Sequence, residues 1–420
     1  MKIKILGSGR EVGRAGILVK SDDANVLFDY GVSVSEDIPR FPEHFAPRDL
    51  DAIALTHAHL DHSGGVPLLY VSVEPPLYVS PLTLGLSELL IKDFLKISKY
   101  YIPYEMVELL SMMRRSLKTE IGGEYEVGRG VLKTYEAGHI PGSTMFTLEV
   151  EGKKILYTGD FNLEDSCLLR GGEISAFEKA DIIIMEATYA SFNHPSREEN
   201  EKRFIESLYE VLDNGGVVLV PTFAVGRAQE ILCVLYKYGV EYPIYYDGMA
   251  RVAAEIIGEH GEYLRDPEMY REAMGRASKI RNAKMRKKIL KKPCIIVSPA
   301  GMLKGGAAVS YMERIMKDPR NGVFFASYQV PDTPGRKVLE TGIFESPRKS
   351  GKVNARVEWF DFSSHCGRND LLEAISRTPK SSLILLVHSE EKQGEEFAEF
   401  VRNKLNREVV FPANGEEIKI

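Results

Sequence analysis

The sequence predicts a protein of the α/β class, because short apolar runs alternate along the chain with longer amphipathic patterns. The apolar runs are too short for most helices, are rich in Ile and Val, and are closed by glycine or polar residues, so they are typical of buried strands. The predicted strands are residues 26–31, 52–57, 154–160, 181–187, 216–223, 294–301, 322–327 and 382–388.

Amphipathic patterns between these runs predict helices. In residues 86–99, apolar side chains from Leu86 to Phe94 recur at the spacing that places them on one face of a helix. Residues 197–213 and 226–238 show a similar spacing. The alternation of strands and helices is what an α/β fold requires.

Length and composition indicate a protein of two domains in a reducing compartment. The chain has 420 residues, which is long for one ordinary domain. Its four cysteines form no CxxC pair, which argues against a disulfide framework. The N-terminus does not resemble a signal peptide, and no apolar stretch approaches the ~20 residues that span a bilayer. We therefore expect a cytoplasmic protein that makes no contact with a membrane.

The charge is unevenly distributed. The formal net charge of −6 alone argues against a nucleic-acid partner. Residues 276–292, however, contain nine Lys or Arg and no acid. Such a run is more often the solvated face of a helix, but it also suits phosphate groups. Composition does not choose between these two interpretations.

The densest cluster of ligand-type side chains is HAHLDH at residues 57–62. Zinc binds imidazole nitrogen and carboxylate oxygen, whereas burying four such side chains without a metal would leave polar groups unsatisfied. Further ligand types occur where strands pass into loops. We therefore expect two Zn²⁺ per chain that hold a bridging water as hydroxide. One ion is assigned His57, His59 and His139, the other is assigned Asp61, His62 and His388, and Asp160 bridges both.

HxHxDH with a later His, Asp and His resembles the metallo-β-lactamase superfamily, whose fold is an αββα sandwich. Three further motifs narrow the resemblance to its nucleic-acid-processing branch, the β-CASP family. These are the strand-end acid Glu186 in MEATY, His365 in FSSHCGRNDL, and the strand-end His388.

The resemblance also implies the domain organisation. It predicts a discontinuous metallo-β-lactamase domain, residues 1–190 and 357–420, interrupted by an inserted α/β β-CASP domain, residues 191–356. PTFAVGRAQE, SPAGML and YQVPDTPGR, which lie between these boundaries, resemble stretches of the inserted domain.

The substrate class follows from the same resemblance. Family members that act on RNA carry a histidine at the third motif, as here at His388, whereas the DNA-repair branch carries an aliphatic residue. The opening LGSGREVGRAG is most similar to the archaeal cleavage and polyadenylation specificity factor type, in a form without KH domains. The resemblance therefore implies a ribonuclease of RNA processing or decay, with single-stranded RNA as its partner and a homodimer as its assembly.

Asp61, Glu186 and His365 are the candidate catalytic residues. Asp61 also binds metal, while His365 is the candidate acid that protonates the leaving oxygen. Glu186 would hydrogen-bond His365 and raise its pKa. Because water rather than the 2′-hydroxyl attacks, the expected products carry 5′-phosphate and 3′-hydroxyl ends. Without the resemblance, Glu186 is equally typical of an ion-paired strand end and His365 of a surface histidine.

Glycine-rich turns supply candidate RNA contacts. PTFAVGRAQE follows a predicted strand and opens a helix, so its backbone N–H groups suit a phosphate. The contacts assigned are Gly226, Arg227, Lys304 and Arg336. Ordinary loop and capping roles explain such turns as well.

A further glycine-rich stretch, GSGREVG at residues 7–13, is similar to the GxGxxG pattern of dinucleotide-binding proteins. It lacks the third glycine at position 12, and no acid follows at the required spacing. We predict a turn between the first two strands and no nucleotide cofactor.

Three alternatives to a processing endonuclease remain. One is a small-molecule hydrolase of the same superfamily, which needs neither Glu186 nor His365. Another is a non-catalytic RNA-binding subunit of a processing complex, although all seven ligand candidates are present. The third is a ribonuclease J-like 5′–3′ exoribonuclease, since the same chemistry serves internal and terminal cleavage.

Overall fold

The computed structural model describes residues 1–34, 38–98 and 101–420. Its strands are β1 Lys2–Gly7, β2 Gly16–Lys20, β3 Asn25–Phe28, β4 Ala52–Ala54, β5 Leu77–Val79, β6 Ser116–Lys118, β7 Glu124–Val127, β8 Gly130–Glu136, β9 Thr144–Val150, β10 Lys153–Tyr157, β11 Ile182–Glu186, β12 Val217–Thr222, β13 Ile244–Tyr246, β14 Ser278–Lys279, β15 Cys294–Pro299, β16 Gly322–Phe325, β17 Ile343–Glu345, β18 Ser350–Lys352, β19 Arg356–Trp359, β20 Leu383–Val387, β21 Val409–Val410 and β22 Glu417–Lys419.

The helices lie between these strands and after them. They are α1 Leu60–Ser63, α2 Val66–Leu69, α3 Pro81–Ile97, α4 Met106–Arg114, α5 Arg197–Asp213, α6 Arg227–Lys237, α7 Ala250–Gly258, α8 Pro267–Arg276, α9 Ala283–Ile289, α10 Gly306–Ile315, α11 Pro334–Thr341, α12 Arg368–Arg377 and α13 Glu391–Leu405. Short 3₁₀ turns occur at Pro47–Asp49, Ile174–Phe177 and Gly261–Tyr263.

The predicted strands and helices are confirmed. The eight apolar runs form β3, β4, β10, β11, β12, β15, β16 and β20, and two of the amphipathic patterns form α5 and α6. The third pattern, 86–99, belongs to α3, which begins earlier because Pro81 fits the first helical position and the Ser80 side chain caps the Thr83 N–H. Lys99 lies outside the described residues. GSGREVG joins the antiparallel strands β1 and β2, as predicted.

The chain forms two compact units, of which the first comprises residues 1–165, 170–193 and 364–420. It contains two seven-stranded mixed sheets. Their strand orders are β22-β1-β2-β3-β4-β5-β6 and β21-β20-β11-β10-β9-β8-β7. A shared apolar core fills the space between the sheets, where for example the rings of Phe28 and Tyr157 lie 5.2 Å apart.

Helices cover the outer faces of both sheets in this unit. Ile91 of α3 and Leu109 of α4 pack on the first sheet, and Leu371 of α12 and Phe397 of α13 pack on the second. Each sheet thus buries one face against the other sheet and one against helices, which is the predicted αββα sandwich.

The second unit, residues 166–169 and 194–363, is an α/β unit built on a parallel sheet. Its six strands have the order β14-β13-β15-β12-β16-β19, and every pairing in this sheet is parallel. Parallel pairs need crossover connections, which the intervening helices supply. The strands β17 and β18 form a separate hairpin.

No helix within the described ranges combines the length and apolar character needed to cross a bilayer.

Candidate metal centre

Strand direction brings four of the predicted site residues to one edge of a sheet. Since β9 is antiparallel to both β8 and β10, β8 runs in the same direction as β10, and β11 and β20 run parallel to β10. Their carboxyl ends therefore lie at one edge. His139 follows β8, Asp160 follows β10, Glu186 ends β11 and His388 follows β20.

The HAHLDH segment reaches this edge from the other sheet, after β4. His57 and His59 lie in the loop before α1, and Asp61 and His62 lie on α1 itself. A side chain at Gly31 would place its Cβ 1.7 Å from the Asp61 carbonyl oxygen. Glycine is therefore required at position 31 for the β3 loop to approach the motif so closely.

The structure brings all seven predicted metal ligands together, in two groups. Within each group, one candidate ligand atom per residue lies within 4.8 Å of the others. The first group is His57, His59, His139 and Asp160, and the second is Asp61, His62 and His388.

The Asp160 carboxylate faces both groups. Its Oδ2 lies 3.6 Å from His57 Nε2 and 3.7 Å from His139 Nε2. Its Oδ1 lies 3.3 Å from His62 Nε2 and 3.5 Å from His388 Nδ1. Each oxygen therefore points toward a different histidine cluster, which is the arrangement that a bridging ligand needs.

Unpaired buried atoms show that these residues fit divalent metal ions. The Nε2 atoms of His57, His62 and His388 and the Oδ1 of Asp160 are buried and form no well-aligned hydrogen bond within the described part of the chain. Leaving such atoms unsatisfied costs about 1–3 kcal/mol each. Imidazole nitrogens and carboxylate oxygens are the donor set that borderline divalent metals prefer, so a bound metal removes this cost.

The histidine pKa values separate the two groups. Burial lowers the pKa of His57 and of His139 well below the ordinary value, and it lowers the pKa of His59 to about 4. These imidazoles are neutral at pH 7, the form that binds metal. Burial also opposes the charging of His62, but Asp160 and Asp29 outweigh it and raise its pKa well above the ordinary value. In the absence of metal, the neighbouring carboxylates therefore favour the protonated form of His62.

Asp29, which was not among the predicted site residues, supports the candidate ligand His62. This fully buried carboxylate lies 2.7 Å from His62 Nδ1. It also accepts hydrogen bonds from the N–H and hydroxyl of Thr56, both at 2.8 Å, and from the Tyr157 hydroxyl at 3.0 Å. Carboxylates in this position fix the tautomer and orientation of a metal-binding histidine. The available signal was VLFDYG, another apolar run that ends in an acid.

We expect the Asp29→Asn substitution to weaken metal binding about 10- to 100-fold, the usual effect of losing such a partner. The amide keeps the size of the side chain but removes the charge that orients His62. Metal affinity measured by competition with a chromophoric chelator checks this.

Tyr157→Phe is the matched control, since it removes one hydrogen bond to Asp29 and leaves the carboxylate in place. Its metal affinity should change by much less than that of Asp29→Asn. Equal metal affinities in Asp29→Asn and the parent chain would remove Asp29 from the metal centre.

Glu186 and His365 form a close pair beside the centre. His365 Nδ1 lies 2.9 Å from Oε1 and 3.0 Å from Oε2 of Glu186, and the buried carboxylate also accepts the Phe161 N–H. Burial alone would lower the pKa of His365, but the charges of Glu186 and Asp160 outweigh it and raise the pKa to about 9. This pKa favours the protonated form of His365 at neutral pH.

Thr188 connects this pair to the metal ligands. Its hydroxyl donates to Glu186 and lies 3.0 Å from His388 Nδ1. His388 itself has a φ of +53°, in the left-handed region that costs a non-glycine residue about 1–3 kcal/mol. Such backbone strain is typical of functional sites, where the orientation of a side chain matters more than the folding free energy that the strain costs.

The predicted RNA contacts lie in the second unit, at its parallel sheet. Gly226, with a φ of +77°, precedes α6, and Arg227 is the first residue of that helix. Lys304 is exposed in the turn after β15. Arg336 pairs with Glu340 on α11, so part of its charge is already neutralised. Their contact with RNA stays a prediction.

Sequence models of three protein families match the chain. The Metallo-beta-lactamase superfamily matches residues 10–205, the Beta-Casp domain matches residues 228–338, and the Zn-dependent metallo-hydrolase RNA specificity domain matches residues 350–412. The last range contains both His365 and His388.

Two archaeal proteins are similar over the whole of this chain. RNase aCSPSF2 of Saccharolobus solfataricus is 40% identical over 420 residues, which is 100% of this chain and 85% of the relative. Transcription termination factor FttA of Methanocaldococcus jannaschii is 33% identical over 457 residues, 100% of this chain and 72% of the relative.

A solved structure shares the fold. It is a crystal structure of a protein of unknown function from Enterococcus faecalis, with a TM-score of 0.66 and 17% identity, and the match covers 100% of this chain and 99% of that one. The sequence matches, the αββα sandwich and the His/Asp cluster lead to one assignment. The chain belongs to the β-CASP family of the metallo-β-lactamase superfamily and is a metallo-hydrolase.

Proposed function

We propose that this enzyme is a ribonuclease with two Zn²⁺ per chain that hydrolyses phosphodiester bonds in single-stranded RNA. The observation that carries the proposal is the Glu186–His365 pair, which lies beside the clustered metal ligands and which small-molecule hydrolysis does not require. The match to an RNA specificity domain and the similarity to a protein named RNase aCSPSF2 support RNA as the substrate. Its role is RNA processing or decay, as an endonuclease of the mRNA 3′-end-processing type.

The two ligand groups define the two metal positions of the proposal. His57, His59 and His139 would hold one ion, Asp61, His62 and His388 would hold the other, and Asp160 is placed to serve both positions. Divalent ions bound there would supply an activated water at neutral pH and would neutralise charge on the phosphate.

The protein's own part in the reaction is to deliver a proton. Nδ1 of His365 faces Glu186, so the proton for the leaving 3′-oxygen is carried on Nε2. Glu186 keeps the imidazole charged and fixes its orientation, and Asp160 adds to its basicity. Because water is the nucleophile, the products carry 5′-phosphate and 3′-hydroxyl ends.

We expect Glu186→Gln to move the alkaline limb of the pH–kcat profile to lower pH, by roughly one to three pH units. A histidine whose pKa is raised by a carboxylate keeps its proton until the pH rises through that pKa. Removing the negative charge lowers the pKa, so the acid is lost earlier as pH increases. Cleavage rates at saturating RNA between pH 6 and 10 check this, and an unmoved limb would contradict the role of Glu186.

The proposal includes the domain boundaries and the assembly. We assign residues 1–190 and 357–420 to the metallo-β-lactamase domain and residues 191–356 to the β-CASP domain. The three family matches support an inserted domain of this extent, and so do the two compact units, whose second unit extends to Ser363 because β19 pairs with β16 in its parallel sheet. The proposed assembly is a homodimer.

RNAs labelled at either end test the proposed activity. Zinc-loaded protein is incubated with a single-stranded RNA that carries 5′-triphosphate or 5′-monophosphate. Internal fragments from both substrates indicate an endonuclease, and mononucleotides from the 5′-monophosphate substrate alone indicate a ribonuclease J-like exonuclease. Intact RNA in both reactions, with metal bound, would contradict the proposal and favour a non-catalytic RNA-binding subunit.

A further inference from the structure

The basic run 276–292 has two kinds of cation, which the structure separates. Arg286 is structural, because its Nε lies 2.6 Å from Oδ2 of the buried Asp247, which also accepts the Tyr311 hydroxyl. Lys279 pairs with Glu255 at 2.6 Å, and Arg276 donates to the Val240 carbonyl at 2.7 Å. These cations are used to hold the fold of the second unit.

The remaining cations of the run form a surface that we call the α9 patch. Its members are exposed, and none makes an ion pair or side-chain hydrogen bond with any residue that the structure describes. The α9 patch consists of Arg281, Lys284, Lys287, Lys288, Lys291 and Lys292.

The patch follows from the periodicity of α9. Ile289 is buried, and Met285 and Leu290 pack partly buried against the core of the second unit. Lys284 and Lys288 are four residues apart on the same helix and are both exposed. The buried face thus anchors the helix and the opposite face presents its cations to solvent.

The helix dipole favours Lys287 and Lys288, which lie in the last turn of α9, but helix stability does not account for the other charges of the patch. Like charges at i and i+4 destabilise a helix by about 0.2–0.5 kcal/mol per pair. Lys284 also lies in the first turn of α9, where the helix dipole disfavours a cation. An ordinary solvated helix face would carry acids among its lysines, whereas residues 276–292 contain none.

An open groove of about 690 Å³ adjoins the patch, at the edge strand β14 of the parallel sheet. Arg281 belongs to both, and the half-buried side chains of Met274 and Met285 give the groove apolar lining. Glu255 also lines the groove, where its charge is paired with Lys279. Several exposed cations beside an open groove suit an extended polyanion better than a single small anion. Lysines bind phosphates as point charges and read no sequence.

We propose that the α9 patch binds the phosphate backbone of single-stranded RNA as a surface additional to the metal centre. Taking RNA as the polyanion rests on the proposed function. In a chain of net charge −6, a local excess of positive charge also orients an approaching polyanion, because the rest of the surface repels it.

The test is a variant with four charges removed, Lys284→Gln, Lys287→Gln, Lys288→Gln and Lys291→Gln. The matched control removes four exposed lysines of the first unit and so has the same net charge: Lys96→Gln, Lys179→Gln, Lys380→Gln and Lys404→Gln. Binding of a fluorescein-labelled 30-nucleotide single-stranded RNA is measured by anisotropy in EDTA, across a series of salt concentrations. Thermal melting verifies that both variants fold.

The patch variant should bind this RNA about 10- to 100-fold more weakly than the control at 0.1 M salt, and its slope of log K against log salt should be smaller by about 2 to 3. Under cleavage conditions, its KM should rise while kcat stays unchanged. Equal affinities and slopes in the two variants would overturn the proposal and favour an acidic protein as the partner of the patch. Because binding is read in EDTA, failure of the wild-type chain to cleave RNA would count against the proposed function and not against the patch.

Discussion

Replacement of Asp160 by asparagine should abolish RNA cleavage, with a loss of about a thousandfold or more, and should lower the bound metal below two ions per chain. Asp160 is the residue whose two oxygens face the two histidine groups. An amide has one oxygen and no charge, so it cannot serve both positions or balance two divalent cations. Metal content by inductively coupled plasma mass spectrometry and the initial cleavage rate check the two parts separately.

Asp247→Asn provides the matched control for this experiment. Asp247 is equally buried and also carries a charged hydrogen-bond network, but it lies in the second unit and contacts Arg286 and Tyr311. The control should lose stability and keep its metal. Two tightly bound ions and a normal cleavage rate in Asp160→Asn would refute the bridging role.

The second large effect is expected for His365→Ala, which should lower kcat about 10²- to 10⁴-fold, as is usual for the loss of a general acid. Metal content should stay at the parent value, because His365 is not among the clustered ligands. This combination separates an acid from a ligand: the loss of a ligand lowers both activity and metal content, whereas the loss of an acid lowers activity alone.

His260→Ala is the control for loss of a histidine–glutamate pair at the surface. Nδ1 of His260 lies 3.1 Å from Oε1 of Glu262, so it also forms a histidine–glutamate pair, outside the metal centre. Its cleavage rate should equal that of the parent chain. Normal cleavage by His365→Ala would show that another group protonates the leaving oxygen.

The residues that sequence reasoning could place are those whose signal is local. HAHLDH is recognisable within six positions, and Asp160, Glu186 and His388 each end an apolar run. Strand direction then explains why they meet, because parallel strands bring their carboxyl ends to one edge. The apolar runs therefore predicted the strands, HAHLDH and the strand-end side chains predicted the ligand set, and the family resemblance supplied the roles of Glu186 and His365.

The site residues that could not be predicted from the sequence act through partners that are distant along the chain. Asp29 contacts His62 across 33 positions and Tyr157 across 128. Nothing in VLFDYG indicates those partners, since they depend on how the two sheets stack. The left-handed conformation of His388 is likewise set by the surrounding packing.

The basic run shows the same limit. In the sequence its nine cations are equivalent, yet Arg286 reaches Asp247 across 39 positions and becomes structural. Composition counts charges, whereas function depends on which of them remain without a partner after folding. Only the contacts in the folded chain show which cations are structural and which belong to the α9 patch.

The ends of the cleavage products test the central claim most directly. Zinc-loaded protein is incubated with a single-stranded RNA of defined sequence, and the fragments are identified by mass spectrometry. Hydrolysis by water at the metal centre predicts 5′-phosphate and 3′-hydroxyl ends, and a 2′-deoxy substitution at the cleaved position should not block the reaction. Products with 2′,3′-cyclic phosphate and 5′-hydroxyl ends, formed only when the 2′-hydroxyl is present, would contradict the account.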